Sequence, residues 1–299
     1  MACLRSSFIA AAAAAAALPA TAAADTALAP APGGQNLTTV LGWAVWVQPG
    51  DDGAWRLVVR SPGGEVRTPG IPSFAVPVDP SGGTDIAGGL RKRVTAVYPR
   101  CEGRSTRRGC DIHELDLETG TERKLDRLAT SQYSETAVAR SGGTFAVVRR
   151  GGARPGLTAI TRTRTRRISR ALPYEVAVNQ SRVASIERGG IATRRIVIRR
   201  LSGEGPTVDV ARGLAANVRH LVATRYRYGY TTFDGERTNF WMTGRISGRA
   251  TSARVREGSR TFNGAVAGAE LLPGNDQTFG LVLDGRFLGR LEPPVTFRF

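Results

Sequence analysis

A module recurs about every 40 residues along this chain: a β-rich run, a tight turn that usually carries glycine, and a second short run. Its clearest copy is CDIHELDLETGTERKL, residues 110 to 125, and other copies start at Trp55, Leu157, Ile196, Phe240 and Phe279. A unit this small cannot bury its own apolar face. Neighbouring units must therefore stack on one another, which restricts the chain to a radial or stacked array.

Apolar and polar residues alternate through most of the sequence, and 3.6-residue periodicity is not sustained. Six units can be drawn. Their paired runs are WAVWV with WRLVV, VTAVY with DIHEL, TFAVVRR with LTAIT, VASIE with IVIRR, YRYGYTTF with NFWMT, and AVAGAELL with FGLVL. The turns fall near Gly64, Gly120, Thr163, Gly203, Gly248 and Gly285. The interval from Gly64 to Gly120 is the longest and holds the segment SGGTDIAGG and a cysteine-bounded loop, which read as an insertion. Four short strands with their turns need about 40 to 45 residues. The expected fold is all-β, a single β-propeller of about six four-stranded blades, with five or seven as the alternatives. Such a ring must be closed by a strand from one terminus. The alternating ending ValThrPheArgPhe, residues 295 to 299, is expected to do this beside residues 36 to 40.

Residues 1–24 read as a signal peptide: Arg5, then an apolar stretch from Phe8 to Leu18, then small residues from Ala20 to Ala24 that suit cleavage after Ala22 or Ala24. Residues 25–35 read as a linker and 36–299 as the propeller domain. No stretch reaches 18 consecutive apolar residues, so no membrane span is expected, and the protein is placed outside the cell or in its envelope as a monomer. Two cysteines follow the leader, Cys101 and Cys110. An even count in an exported chain suggests one disulfide, closing the polar loop EGRSTRRG, with a chain-entropy contribution of roughly 2.7 kcal/mol. Zinc would need four ligands, and only His113 and His220 are at hand.

The segment AVYPRCEGRSTRRGCDIHELDLETGTERKL resembles a blade of secreted TolB-type or WD-repeat-like propellers. In those proteins a strand ends in Tyr-x-Arg-Cys and a second Cys opens a strand that leads to Asp-Leu-x-Thr-Gly. The matching positions are Tyr98, Arg100, Cys101, Cys110, Asp111, Asp116, Leu117, Thr119 and Gly120, with a weaker match at Leu201-Ser202-Gly203. The Trp-Asp dipeptide of intracellular WD repeats is absent, as are the Asp-rich loops of calcium-binding propellers. The resemblance implies a fold, and that fold hosts binding and catalytic roles alike.

Few motifs point to chemistry. There is no Gly-x-Ser-x-Gly, His-Glu-x-x-His, Cys-x-x-Cys or phosphate-loop spacing, and no catalytic residue, metal or cofactor is expected. Carboxylates are the remaining catalytic option, because glycosidases need only two of them: Asp79, Asp85, Asp116, Glu118, Glu135, Glu175 and Asp234 are candidates. Arginine dominates instead. Of 42 basic residues 40 are Arg, set against 25 acids, and the formal net charge is +17. The clusters Arg162, Arg164, Arg166, Arg167 and Arg194, Arg195 are the candidates for holding a polyanion such as an envelope polymer, since guanidinium pairs bidentately with phosphate and carboxylate. Tyr226, Tyr228 and Tyr230 would share one face of a strand, either to stack sugars or bases or to pack between blades. The expected function is a non-enzymatic binding module with an anionic ligand; the alternative is a carbohydrate-active enzyme with paired carboxylates in the propeller channel.

Overall fold

The computed structural model describes residues 26–30, 35–40, 43–52, 54–72, 85–88, 94–101, 109–179, 181–191, 193–203, 205, 207–215, 218–223, 228–233, 238–243, 252–257, 265–267, 279–283 and 286–291. A strand near the N-terminus, β1 (Thr26–Pro30), precedes the first sheet. That sheet is β2 (Gln35–Val40), β3 (Trp43–Pro49), β4 (Trp55–Arg60) and β5 (Val66–Arg67). The second is β6 (Asp85–Gly88), β7 (Val94–Cys101), β8 (Cys110–Asp116) and β9 (Glu122–Lys124). The third is β10 (Ser134–Ser141), β11 (Thr144–Arg150), β12 (Gly156–Ile160) and β13 (Thr165–Ser169). The fourth is β14 (Glu175–Asn179), β15 (Arg182–Arg188), β16 (Thr193–Arg200) and β17 (Val208–Ala215). The fifth is β18 (Arg219–Ala223), β19 (Tyr228–Phe233), β20 (Thr238–Thr243) and β21 (Ser252–Glu257). The sixth contains β22 (Ala265–Ala267), β23 (Phe279–Leu283) and β24 (Arg286–Leu291), and its fourth member is β1.

Every sheet is antiparallel, the first five as four-strand meanders and the sixth as a three-strand meander joined by β1, and the first strands touch in cyclic order, β2 beside β6 and finally β22 beside β2. Apolar faces on successive sheets meet in seams. Val45, Val47, Leu57 and Val59 of the first sheet pack on Ala96, Tyr98 and Leu115 of the second. Val97 and Ile112, on the opposite face of the second sheet, pack on Val138, Val147 and Ile160 of the third. The middle strands are thus buried on both faces, which is why runs such as Val45-Trp46-Val47 carry no polar residue. Each such side chain contributes roughly 1.5–3 kcal/mol relative to an exposed one.

Turn chemistry fixes the hairpins. Asp116 Oδ1 accepts the N–H groups of Glu118 (3.0 Å) and Thr119 (2.9 Å), and Gly120 turns the chain at φ 72°. Gly156 opens β12 at φ 136°, where a Cβ would lie 2.2 Å from the Ser169 carbonyl oxygen, so no other residue fits beside β13.

Three expectations change. Asp85–Gly88, read as part of an insertion, is β6, the inner strand of the second sheet. The sixth unit is displaced by one strand: AVA and FGLVL are β22 and β23, the first and second strands, whereas the other five pairs are second and third strands. Residues 26–30 fall in the stretch expected as a linker and instead pair with β24, Thr26 opposite Gly289 and Pro30 opposite Arg286. Closure by residues 295–299 falls outside the described residues, and β2 pairs with β3 of its own sheet.

Candidate functional site

In an antiparallel meander, the first-to-second and third-to-fourth hairpins share one face of the ring, here called the lower. The starts of the first strands and the second-to-third connections share the other, the upper face.

On the upper face the described polar groups gather at the second, third and fourth sheets. The Cys101–Cys110 disulfide joins residues directly opposite each other on β7 and β8. The Cys110 N–H donates to Ser134 Oγ at 3.2 Å, which ties the bridge to the start of β10. The next residue, Glu135, is 0% exposed. Arg149 Nε lies 3.4 Å from Glu135 Oε1, yet neither carboxylate oxygen accepts a well-formed hydrogen bond. Arg149 is held independently, donating from Nη2 to the Leu128 carbonyl (2.9 Å) and lying over the Tyr133 ring at 5.2 Å. Burial, reinforced by the charge of Asp111, outweighs the pull of Arg149 and pushes Glu135 up to about 7. Glu135 is a carboxyl that carries its proton well above the usual range.

Beside it the second sheet builds a ladder of charge. Arg100 donates to Glu122 (2.5 Å), Tyr98 donates its hydroxyl to the same carboxylate, and Lys124 pairs with Asp111 (2.5 Å). His113 Nδ1 lies 3.7 Å from Glu122, and burial lowers the imidazole's affinity for a proton. In the fourth sheet Glu187, buried, pairs with Arg199 and with Arg195 (3.4 Å) and accepts the Ser185 hydroxyl at 2.8 Å. Other arginines clamp seams between sheets. Arg140 reaches across to Glu114 (2.8 Å), Arg67 donates to the carbonyls of Leu117 and Glu118, and Arg194 donates to the Val218 carbonyl (2.9 Å) while lying over the Tyr174 ring. For Glu114, burial alone would raise the proton affinity; Arg123, Thr95 and Arg140 more than offset it and hold the carboxyl below its ordinary value.

The sequence-derived candidates are dispersed by this arrangement. Arg194 and Arg195 are committed to internal partners. Arg162, Arg164, Arg166 and Arg167 are exposed on the β12–β13 hairpin and along β13. Tyr228 (0% exposed) and Tyr230 (2%) are packed against Ile186, Ile196 and Val218 between the fourth and fifth sheets, so they form no surface stacking face. Tyr226 lies outside the described residues. Among the candidate carboxylates, Asp116 caps its turn, Glu118 is exposed in that turn, and Glu175 Oε2 accepts the Leu221 N–H at 2.7 Å, joining β14 to β18. Asp79 and Asp234 lie outside the described residues, and of Asp85 only the backbone is described. Among the described residues no three His, Cys, Asp or Glu side chains are grouped to hold a metal ion, and no helix is long and apolar enough to cross a membrane.

Glu187 and the Glu135–Arg149 pair were not singled out as interacting groups from sequence. The available signal was an acid embedded in an apolar strand run, as in VASIE, since burial of such a residue demands a cationic partner.

No family model matches the chain, and no curated protein matches it. Among solved structures it is similar to the PQQ-bound aldose sugar dehydrogenase from Streptomyces coelicolor, a β-propeller, with a TM-score of 0.56 at 13% identity, covering 89% of this chain and 97% of that one. It is also similar to an ancestral GH74 enzyme, with a TM-score of 0.52 at 10% identity, covering 86% of this chain and 47% of that one. A puromycin-hydrolysing peptidase from Mycobacterium tuberculosis gives a TM-score of 0.50 at 13% identity, covering 83% of this chain and 42% of that one. The chain therefore spans less than half the length of the latter two. At these identities the likeness is one of fold: an all-β, propeller-like arrangement of four-stranded sheets.

Proposed function

We propose that the chain is an exported six-bladed β-propeller of the TolB or WD-like kind that binds an anionic polymer outside the cell or in its envelope, without transforming it. In this reading residues 1–24 are removed on export and the remainder folds as one domain closed by β1. The observation that carries it is the solvent-facing run from Arg162 to Arg167, four arginines in six consecutive exposed residues. Guanidinium groups exposed on one hairpin and its following strand raise the local positive potential and pair bidentately with phosphate or carboxylate. The disulfide fits an oxidising compartment.

The carbohydrate-active alternative gains less support. Three of the described candidate carboxylates, Asp116, Glu135 and Glu175, are buried, and a carboxyl shut away from solvent meets no sugar. Binding to immobilised heparin, as a generic polyanion, at about 50 mM and about 500 mM salt tests the proposal. Retention should be lost at the higher concentration, because counterions are no longer released into a dilute phase. Failure to bind at low salt would refute the reading.

A further inference from the structure

Large apolar side chains are nearly absent from the described surface. Among the described residues only Val66, Leu172 and Ile191 are exposed, and Ile191 is 98% so. Val66 lies on the short outer strand β5, far along the sequence from the other two. Leu172 and Ile191 both rise from the upper end of the fourth sheet.

Their placement follows from the ladder beneath them. Glu175 opens β14 opposite Ile186 of β15, and the Tyr174 N–H donates to the Ile186 carbonyl (2.8 Å), which extends the pairing by one residue. Leu172 sits two residues before Tyr174. On the facing strand β15 runs up to Arg188 and turns back into β16 through Gly189, Gly190 and Ile191. The Gly189 N–H donates to the Thr193 carbonyl (2.9 Å) and Arg188 Nε to the Gly190 carbonyl (3.1 Å), so the turn is braced with Ile191 at its tip. Arg194, just below the tip, lies over the Tyr174 ring at 4.1 Å and docks this turn onto the segment that carries Leu172. The two aliphatic side chains therefore share one rim.

The charge around that rim has a single sign. Arg188 is exposed beside Ile191, and Arg170 is exposed two residues before Leu172. Arg154 is exposed on the adjoining β11–β12 connection, whose last residue, Gly156, lies so near Arg170 that an added Cβ would stand 3.2 Å from the Arg170 Cα. Between residues 136 and 203 the only acids are Glu175 and Glu187, and both are buried.

A lone exposed aliphatic residue needs no explanation. Here a turn that any polar residue would suit carries isoleucine, its neighbour on the rim is leucine, and the surrounding charges are all cationic. Apolar groups ahead of a basic collar are what binds a protein to the surface of an anionic bilayer, where the apolar groups enter the headgroup boundary and the cations stay among the phosphates. Such attachment is peripheral and needs no spanning segment.

We propose that the upper rim of the fourth sheet is a membrane-contact surface for anionic lipid, with Ile191 and Leu172 entering the interface and Arg154, Arg170 and Arg188 meeting headgroup phosphates. The proposal goes beyond the polymer reading and uses other residues. The Arg162–Arg167 run belongs to the lower face, so a chain seated on lipid by its upper rim turns that hairpin away from the membrane.

The test is co-sedimentation of the full chain at about 150 mM salt, which screens charges on the far face, with vesicles of phosphatidylcholine alone and with about 30% phosphatidylglycerol. Binding should need the anionic lipid. An arginine near such a surface is worth about fivefold, so Arg170→Gln with Arg188→Gln should weaken binding about 25-fold. Ile191→Ser should weaken it about tenfold at unchanged melting temperature, and Ile191→Trp should preserve it, since an indole suits that depth. Arg162→Gln with Arg164→Gln should leave vesicle binding within about twofold while weakening heparin binding. Equal binding to both vesicles, or binding indifferent to Ile191→Ser, overturns the proposal. Self-association that Ile191→Ser abolishes, without vesicle binding, overturns it in favour of a second copy of the chain. Heparin binding with no vesicle binding overturns it and leaves the polymer reading intact, whereas vesicle binding with no heparin binding supports it and refutes the polymer reading.

Discussion

Replacing Glu135 by Gln should change how stability depends on pH. The carboxyl is fully buried and titrates at about 7 in the folded chain, against an ordinary value of 4.5. Below pH 4.5 both states hold the proton. As pH rises from 4.5 to 7, the unfolded chain releases it and the folded chain does not, so folding binds a proton and unfolding becomes progressively easier; above 7 both are ionised and the effect is constant. At 1.36 kcal/mol per unit, the wild type should lose on the order of 3 kcal/mol through this group across that window. Gln has nearly the same shape and no proton to exchange. Every other titrating group is common to both proteins, so the stability of Glu135→Gln minus that of wild type should rise by about 3 kcal/mol between pH 4.5 and 7.5. Urea denaturation at four pH values, compared by midpoint and slope, measures it. Parallel stability curves would show that Glu135 is ionised in the folded state at acidic pH, and the account of an unsatisfied buried carboxyl would be wrong.

Denatured protein should show no reactive thiol from Cys101 or Cys110 before reduction, and Cys101→Ser with Cys110→Ser should cost about 2–4 kcal/mol; two free thiols per chain would exclude the bridge. Removing residues up to Pro30 should strip β24 of its partner, lower the melting temperature and expose the sixth sheet to protease, whereas unchanged melting and digestion would deny β1 its closing role. Tyr228→Ala should destabilise by about 3–5 kcal/mol, as for other large buried rings. A stable Tyr228→Ala protein with impaired polymer binding would return that ring to the surface.

The repeat was legible because five of its six units place the same two strands and the same third-to-fourth turn at the same phase. The sixth slipped for a physical reason. Its third and fourth strands, β24 and β1, come from opposite ends of the chain, so no turn joins them, and Gly285 lies between the second and third strands instead. Short strands were the next loss. Asp85–Gly88 sits among glycines and looks like loop, because an inner strand of four residues needs little apolar content of its own. At the candidate site, Tyr228 and Tyr230 obey strand alternation whether that face is a surface or a seam, and only the neighbouring sheet decides. The same holds for charge: composition shows the arginines, but Arg194 became a clamp and Arg162 an exposed group through tertiary placement alone.

The pairing of β1 with β24 has a kinetic meaning. Thr26 meets Gly289 across nearly the whole sequence, so the sixth sheet gains its outer strand only after the last units have been made. Loop-closure entropy is met before that contact gives anything back, which makes the final step slow and leaves β24 with an unpaired edge until it happens. A chain built this way is first a string of sheets with one loose end, and β1 joins β24 last. Anything that holds residues 26–30 elsewhere in the meantime would delay completion of the fold without touching any other sheet.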